Sequence, residues 1–328
     1  MQTKKIFITR DIPVVGIDML RNHGLEVTIW PRDYPIPPDQ LILEARKADA
    51  LISLYTDRLD AAFLQECKHL DIISQFAVGY DNIDVEGATK LGIPLGYTPG
   101  AMSDATADIA FGLMIAVSRK FFFMHKTILK NEWRHFRPKA HLGFELKNKT
   151  LGIFGLGKIG MEMARRCKGA YHMQILYTNR HANETAELEL DAKRVSFDEL
   201  LDQSDVLSAH CSLNEQTRGI FNRAAFRKMK PTAIFINTTR GPVHNEQDLY
   251  EALKANEIWG VGLDVTNPEP MKSDNPLLEL ENVAILPHIG SATAEARNEM
   301  SRMAALNIVA FYQGKEIPHL INPGVFRK

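Results

Sequence analysis

The chain has 328 residues, of which 45% are hydrophobic, so it is long enough to bury more than one core. At roughly 100 to 200 residues per domain, this length indicates two domains. Lys and Arg total 39 against 40 Asp and Glu, which excludes the basic surface that nucleic acid or an anionic membrane demands. The composition therefore predicts a small-molecule partner, with no nucleic acid and no membrane.

The three cysteines, Cys67, Cys167 and Cys211, are far apart and lack the C-x-x-C spacing of zinc or redox sites. The N-terminal residues lack the long apolar region and cleavage site of a secretory signal. No apolar run approaches the roughly 20 residues of a membrane-spanning helix. These features predict reduced thiols, no metal site and a cytoplasmic location.

Short apolar strands alternate with helical segments over the first hundred residues. The pattern predicts strands over 5–9, 26–30, 50–54 and 71–76, and helices over 14–22, 41–48 and 61–67. Such alternation is typical of a parallel sheet covered by helices on both faces. After the turn-rich stretch 92–100, a long apolar helix is predicted over 104–118, with Ser103 or Asp104 as its cap.

A second series of strands and helices is predicted from Leu151 to Pro287, followed by a last helix from about Thr293 to Gln313. The basic and aromatic stretch 130–148 is predicted to be irregular, either a solvated connection or a functional loop. If the last helix packs on the N-terminal strands, the second domain is inserted into the first.

The segment TLGIFGLGKIGMEMARRC indicates a dinucleotide site, because an apolar strand runs into Gly155, Gly157 and Gly160 and then into a helix. The first glycine permits the tight turn, the second lets a pyrophosphate approach the backbone, and the third lets helix and strand pack closely. The phosphates would face the amino-terminal end of that helix.

The choice of dinucleotide is indicated by the end of the next strand, where Thr178, Asn179 and Arg180 stand and no acid is found. An NAD-binding protein usually carries Asp or Glu there for the ribose 2′-hydroxyl. Hydroxyl, amide and guanidinium groups suit a 2′-phosphate instead. We therefore expect NADP(H) to be preferred, with NAD(H) possible if Arg180 is only a solvated cation.

Three further strand ends carry the groups that reduction of a 2-oxo acid needs: a cation for the carboxylate, an acid for the developing alkoxide and a partner for that acid. Arg240 follows the strand 233–237, Glu269 follows the strand 260–265, and His288 follows the strand 283–286. Open α/β sheets bind ligands at these carboxyl ends. In this scheme His288 is the general acid in reduction, and Glu269 favours its imidazolium form.

Five ordered segments now identify a resemblance that spans essentially the whole chain: VGYDNID, GLGKIG, INTTRGPV, GLDVTNPEP and PHIGSAT. The chain resembles the D-isomer-specific 2-hydroxyacid dehydrogenases, and within them the glyoxylate/hydroxypyruvate reductases and the 2-ketogluconate reductases. The resemblance implies an α/β fold of two Rossmann-like, doubly wound parallel-sheet domains. The cofactor domain, 104–291, would be inserted into a discontinuous substrate domain, 1–103 and 292–328.

The resemblance also implies site residues and a partner. Arg240, Glu269 and His288 would be catalytic, the backbone amides of Val78 and Gly79 would receive the substrate carboxylate, and the helix after Ser103 would help to form a homodimer. The implied cofactor contacts are Thr106, Gly155, Gly157, Lys158, Ile159, Gly160, Thr178, Asn179, Arg180, Cys211, Ser212, Leu213, Thr238, Thr239, Arg240, Asp264, His288, Gly290 and Ser291.

Two departures from the family pattern concern the loops. His244 and Asn245 replace an apolar residue and an acid, which predicts altered loop packing, and Ala140 stands where some hydroxypyruvate reductases present an aromatic residue. The second departure leaves the preferred substrate length open, from glyoxylate or hydroxypyruvate to a sugar acid such as 2-ketogluconate.

Parts of the sequence are also compatible with two other functions. A nicotinamide-sensing corepressor of the same fold would bind the dinucleotide without turnover. The sequence Y-x-x-x-K at Tyr250–Lys254 matches short-chain dehydrogenases, but it is predicted to lie on an ordinary crossover helix.

Overall fold

A computed structural model describes residues 3–326, which divide into two compact units. The first unit contains the described residues up to Met102 and those from Ala292 onward, and the second contains Ser103–Ser291. Each unit is built on its own parallel β-sheet.

The sheet of the first unit has five parallel strands in the order β2-β1-β3-β4-β5. The direction of winding changes between β1 and β3, and such a switch point opens a crevice beyond the carboxyl ends of the strands. Strands β3 and β4 are buried along their whole length because helices cover both faces of the sheet. The strands are β1 (Lys5–Ile8), β2 (Glu26–Ile29), β3 (Ala50–Ser53), β4 (Ile72–Gln75) and β5 (Leu95–Gly96).

Four helices connect these strands: α1 (Val14–Asn22), α2 (Pro38–Ala45), α3 (Ala61–Glu66) and α4 (Val85–Lys90). Helix α2 begins and ends earlier than predicted, because Pro38 has no N–H to satisfy and so suits the first helical turn. Strand β5 and helix α4 were not predicted. Both are short and lack a complete period of apolar residues.

The sheet of the second unit has seven parallel strands in the order β12-β11-β10-β9-β6-β7-β8. Its winding changes direction between β6 and β9, as in a Rossmann fold. The strands are β6 (Thr150–Phe154), β7 (Gln174–Thr178), β8 (Lys193–Arg194), β9 (Val206–Ala209), β10 (Ile234–Asn237), β11 (Gly260–Leu263) and β12 (Val283–Ile285).

The helices of the second unit include the predicted long apolar helix, which begins at Ser103 and packs on β10, β11, β12 and the helix after the glycine loop. The helices are α5 (Ser103–Ser118), α6 (Phe121–Leu129), α7 (Lys158–Tyr171), α8 (Glu184–Leu190), α9 (Phe197–Gln203), α10 (Arg223–Lys228) and α11 (Glu246–Lys254). Helix α11 crosses from β10 to β11, so the Y-x-x-x-K sequence does lie on a crossover helix. Residues 130–148 are irregular, as predicted.

The last helix, α12 (Ala294–Tyr312), belongs to the first unit and packs along α1. The two helices approach closely at Gly16, where an added Cβ would lie 2.3 Å from the main-chain oxygen of Ser301. The Ser301 hydroxyl donates to the Pro13 carbonyl over 2.6 Å and accepts from the Gly16 N–H over 3.2 Å. The second unit is therefore an insertion between two parts of the first.

None of the helices between residues 3 and 326 combines the length and the apolar character that crossing a lipid bilayer requires.

Candidate active site

An acid–base pair lies beyond the carboxyl ends of β11 and β12. The His288 Nδ1 lies 2.5 Å from the Glu269 Oε1, and the two side chains keep 19% and 32% of their surface exposed. His288 has a φ of 55°, a left-handed conformation that is uncommon for a residue with a side chain. Since Nδ1 is held by Glu269, Nε2 is the ring atom through which His288 could transfer a proton.

The ionisation of Glu269 depends on opposing effects. Burial raises the pKa of its carboxyl, but the hydrogen bond and the charge of His288, the Thr266 N–H and the charge of Arg240 together lower it below its ordinary value. Glu269 is therefore ionised at neutral pH, and its carboxylate faces the Nδ1 atom of His288.

The loop that follows His288 is held by the buried side chain of Asp264. Its two carboxylate oxygens accept the N–H groups of Ile289 and Gly290 over 2.8 and 2.7 Å, and the Thr106 hydroxyl donates to the Gly290 carbonyl over 3.0 Å. Burial raises the pKa of Asp264, although these N–H groups and the charge of His288 oppose that effect. Asp264 and Thr106 thus fix the backbone beside the acid–base pair.

Arg240 lies in the turn after β10, and the buried Asn237 side chain holds this turn. The Asn237 Oδ1 accepts from the Thr239 N–H and hydroxyl over 2.9 and 2.7 Å, and Nδ2 donates to the Arg240 carbonyl over 3.0 Å. At the next residue a Cβ on Gly241 would lie 1.8 Å from the Thr266 carbonyl oxygen, so only glycine fits. The turn that carries Arg240 is therefore fixed on both sides.

The glycine loop between β6 and α7 has the three features that a dinucleotide requires. Gly155 has a φ of 96°, and a Cβ there would lie 2.7 Å from the Cys211 N. A Cβ on Gly157 would meet nothing within 4 Å, whereas one on Gly160 would press on the Gly155 oxygen and the Ile153 side chain at 3.1 Å. The first and third glycines are thus needed for packing, and the second leaves open space beside a helix N-terminus.

That helix N-terminus suits an anion. Gly157 is the N-cap of α7 and supplies no capping side chain, and the first turn, which begins with Lys158 and Ile159, contains no acidic residue. Unsatisfied N–H groups and the helix dipole at such an end attract phosphate. In addition, the buried Thr238 hydroxyl has no hydrogen-bond partner within residues 3–326. The glycine loop and the strand ends therefore fit a dinucleotide.

Of the three residues expected to select the dinucleotide, two have side chains that are engaged in hydrogen bonds within the protein and one is exposed. The Thr178 hydroxyl donates to the Val195 carbonyl, and the Asn179 amide is bonded to the N–H and carbonyl of Leu156, so both side chains already hold the protein together. Arg180 is exposed. The guanidinium of Arg194, on β8, donates to the carbonyls of Asn179 and Arg180 over 2.8–3.2 Å and adds a second cation that was not predicted.

The remaining cofactor candidates of this unit lie after β9 and β12. Burial raises the pKa of the Cys211 thiol to about 12, so it stays protonated. The Ser212 carbonyl accepts from the Thr217 hydroxyl over 2.7 Å, and Leu213 packs on a buried apolar cluster. Ser291 is the last residue of this unit.

Val78 and Gly79 lie in the first unit, after β4. The Gln75 amide donates to the Gly79 carbonyl over 3.3 Å and to the Asn82 Oδ1 over 2.8 Å. Asn82 in turn donates to the Leu54 carbonyl over 3.2 Å. Within residues 3–326 the N–H groups of Val78 and Gly79 donate no hydrogen bond, so they are able to receive a carboxylate.

The contacts of Asn237, Gln75 and Asn82 were not predicted. Asn237 and Asn82 lie within the quoted family segments, and that was the one signal that could have drawn attention to them. The predicted effect of His244 and Asn245 was altered loop packing. Asn245 caps α11 through the Asp248 N–H, and His244 is buried against Asn237.

A family model for the D-isomer specific 2-hydroxyacid dehydrogenase, NAD binding domain, matches residues 111–290. The chain is 44% identical to glyoxylate reductase of Thermococcus litoralis, over 98% of this chain and 97% of the relative. It is 41% identical to glyoxylate reductase of Korarchaeum cryptofilum, over the same shares of the two chains.

The fold is also similar to the crystal structure of a glyoxylate reductase from Paecilomyes thermophila, with a TM-score of 0.87 and 34% sequence identity. The match covers 98% of this chain and 99% of the chain of that reductase. Both the sequence relatives and the structural neighbour extend over nearly the full length. The chain therefore belongs to the D-isomer specific 2-hydroxyacid dehydrogenase family and is a nicotinamide-dependent oxidoreductase.

Proposed function

We propose that this dehydrogenase reduces a small 2-oxo acid, such as glyoxylate or hydroxypyruvate, to glycolate or D-glycerate, with NADPH as the preferred cofactor. The observation that carries the proposal is the His288–Glu269 pair, joined over 2.5 Å at the carboxyl ends of two strands. The names of the sequence relatives, which are glyoxylate reductases, support this choice of substrate.

In this proposal the protonated His288 donates a proton to the substrate oxygen that becomes the hydroxyl group. Glu269 stabilises the imidazolium before transfer and holds the ring through Nδ1. Arg240 binds the substrate carboxylate through its guanidinium. In the first unit, the N–H groups of Val78 and Gly79 are available as donors to a carboxylate. Reduction is then favoured on the acidic side and oxidation on the alkaline side.

When bound, the nicotinamide supplies the hydride. The glycine loop and the N-terminus of α7 hold the pyrophosphate, and Asp264 and the strand-end residues of the same unit hold the nicotinamide end. The exposed Arg180, with Arg194 beside it, binds the 2′-phosphate of NADPH. The absence of an acid from residues 178–183 removes the repulsion that would otherwise exclude that phosphate.

The proposal is tested by initial rates of NADPH and NADH oxidation with glyoxylate, hydroxypyruvate, pyruvate and 2-ketogluconate. We expect rapid NADPH oxidation with the first two acids and loss of turnover in Arg240→Ala and His288→Ala. A clear preference for 2-ketogluconate would assign the chain to the sugar-acid reductases instead. Tight NADPH binding without turnover would favour a nicotinamide sensor.

We also propose a homodimer, on the basis of large apolar side chains that are exposed between residues 121 and 142 of the second unit. These are Phe121, Ile128, Leu129, Trp133, Phe136 and Leu142, each exposed by half of its surface or more. A second copy of this chain would cover them, and the mass in solution should be twice 37.0 kDa.

A cytoplasmic location is proposed from the three cysteines, which form no disulfide and of which Cys67 and Cys167 are buried. Fractionation of cells that express the full chain tests this location.

A further inference from the structure

His244 is buried in the second unit, where its side chain occupies a position within hydrogen-bond reach of Asn237. Its exposure is 1%, its ring lies 6.1 Å from that of Phe235 at 71°, and its Nδ1 lies 3.0 Å from the Asn237 Nδ2. His244 therefore contacts the residue that holds the Arg240 turn.

All four hydrogen-bonding positions of the Asn237 side-chain amide are occupied, and His244 occupies the fourth. The oxygen accepts two hydrogen bonds from Thr239, and the two N–H groups donate to the Arg240 carbonyl and to the His244 Nδ1. An amide has two donor hydrogens and two acceptor positions, so no alternative orientation satisfies these four partners. The acceptor on His244 therefore helps to determine which way Asn237 points.

We propose that His244 is a positioning residue for Arg240, which acts through Asn237 to fix the turn that presents the guanidinium to the substrate carboxylate. This inference rests on the proposed function of Arg240. It replaces the sequence-based view of His244 as a change in loop packing alone.

The role requires His244 to stay neutral, because a protonated Nδ1 would be a donor facing the donor Nδ2 of Asn237. Burial lowers the pKa of His244 to about 4, so the ring is neutral across the pH range of the reaction. The hydrogen of the neutral ring then resides on Nε2, a buried atom without a partner within residues 3–326.

A matched pair of variants separates the hydrogen bond from the packing. His244→Asn places an amide oxygen where Nδ1 lies but leaves a cavity, whereas His244→Phe keeps the aromatic contact with Phe235 and removes the acceptor. His244→Leu is a second variant without an acceptor, for use if the larger ring of phenylalanine prevents folding. Each is compared with wild type and Arg240→Ala in glyoxylate reduction with NADPH.

We expect the KM for glyoxylate to rise about tenfold in His244→Phe or His244→Leu and to stay within about twofold of wild type in His244→Asn. The KM for NADPH is measured in the same variants, because Asn237 also holds Thr239. The midpoint of thermal unfolding should fall most in His244→Asn because of its cavity. A loss of stability alone lowers the amount of active enzyme and leaves both KM values unchanged.

The inference is overturned if the three variants share one KM for glyoxylate, or if that KM follows stability rather than the acceptor. Arg240→Ala separates this failure from that of the proposed function. If Arg240→Ala leaves the KM for glyoxylate unchanged, the role of Arg240 is wrong. If it raises the KM and the acceptor-free variants do not, only the role of His244 is wrong.

Discussion

Gly157→Ala should separate cofactor binding from stability, because a Cβ at this position meets no atom within 4 Å. Its φ of −94° and ψ of −157° suit alanine. Replacing glycine should stabilise the protein by about 0.4–1 kcal/mol, because alanine has less conformational freedom than glycine in the unfolded chain. Loss of glycine from the N-cap should cost a similar amount, roughly 0.5–1 kcal/mol. The free energy of unfolding should therefore change by less than about 1 kcal/mol. The methyl group would instead occupy the space proposed for the pyrophosphate, so the Kd of NADPH should rise at least tenfold, or about 1.4 kcal/mol.

Gly155→Ala is the matched control, since its φ of 96° disfavours alanine and its Cβ would lie 2.7 Å from the Cys211 N. This variant should lose more than about 2 kcal/mol of stability as well as cofactor affinity. Cofactor binding is measured by NADPH fluorescence titration and stability by urea unfolding, both for the full chain without substrate. Wild-type affinity in Gly157→Ala, or a loss of stability equal to that of Gly155→Ala, would refute the assignment of the three glycines.

Three further predictions concern charge. Glu269→Gln keeps a hydrogen-bond acceptor for His288 but removes the negative charge. As the pH is raised, the rate of glyoxylate reduction should therefore fall to half its maximum at a lower pH than in wild type. Superimposable pH–rate profiles between about pH 5 and 9 would contradict this prediction. Arg180→Asp should raise the KM for NADPH at least tenfold, or about 1.4 kcal/mol, and change that for NADH little; equal effects on both cofactors would rule out 2′-phosphate recognition. Burial raises the pKa of Asp57. The protonated carboxyl therefore stabilises the fold at pH values below the ordinary carboxyl pKa, and this contribution is lost as the pH rises through the raised pKa. In the wild type the Thr9 hydroxyl donates to Asp57 over 2.5 Å, and the amide oxygen of Asp57→Asn can still accept this hydrogen bond. In urea unfolding, the stability of Asp57→Asn relative to wild type should therefore increase from acidic to neutral pH. A stability difference that does not change with pH would contradict the raised pKa of Asp57.

The strands and the three glycines could be predicted from sequence, because each follows from a local pattern. The apolar runs before Arg240, Glu269 and His288 end within two residues of the ends of β10, β11 and β12. Parallel pairing then brings those three positions to one edge of a sheet. The roles expected of Gly155 and Gly160 likewise follow from the order strand, glycine loop, helix.

The contacts within the site could not be predicted in the same way. The 2.5 Å contact of His288 with Glu269 joins the loops after two different strands, and His288 has a left-handed φ that a proline-histidine sequence does not specify. Arg194 reaches the backbone of Arg180 because it lies on a strand of two residues, too short to produce a periodic signal. Sequence patterns thus place residues at the edge of a sheet, whereas loop conformation decides which of them touch.

The loops of the candidate site are held by buried polar side chains rather than by apolar packing. Asp264 and Asn237 are both at most 1% exposed, and together they bind the backbone at Thr239, Arg240, Ile289 and Gly290. A buried polar group that loses its partners costs about 1–3 kcal/mol, so each loop has one strongly preferred conformation. An apolar core of the same volume would fix the position of these loops but not the direction of their N–H and carbonyl groups. Because His288 and Arg240 need defined directions to meet a proton acceptor and a carboxylate, the polar supports belong to the chemistry as much as the groups they carry.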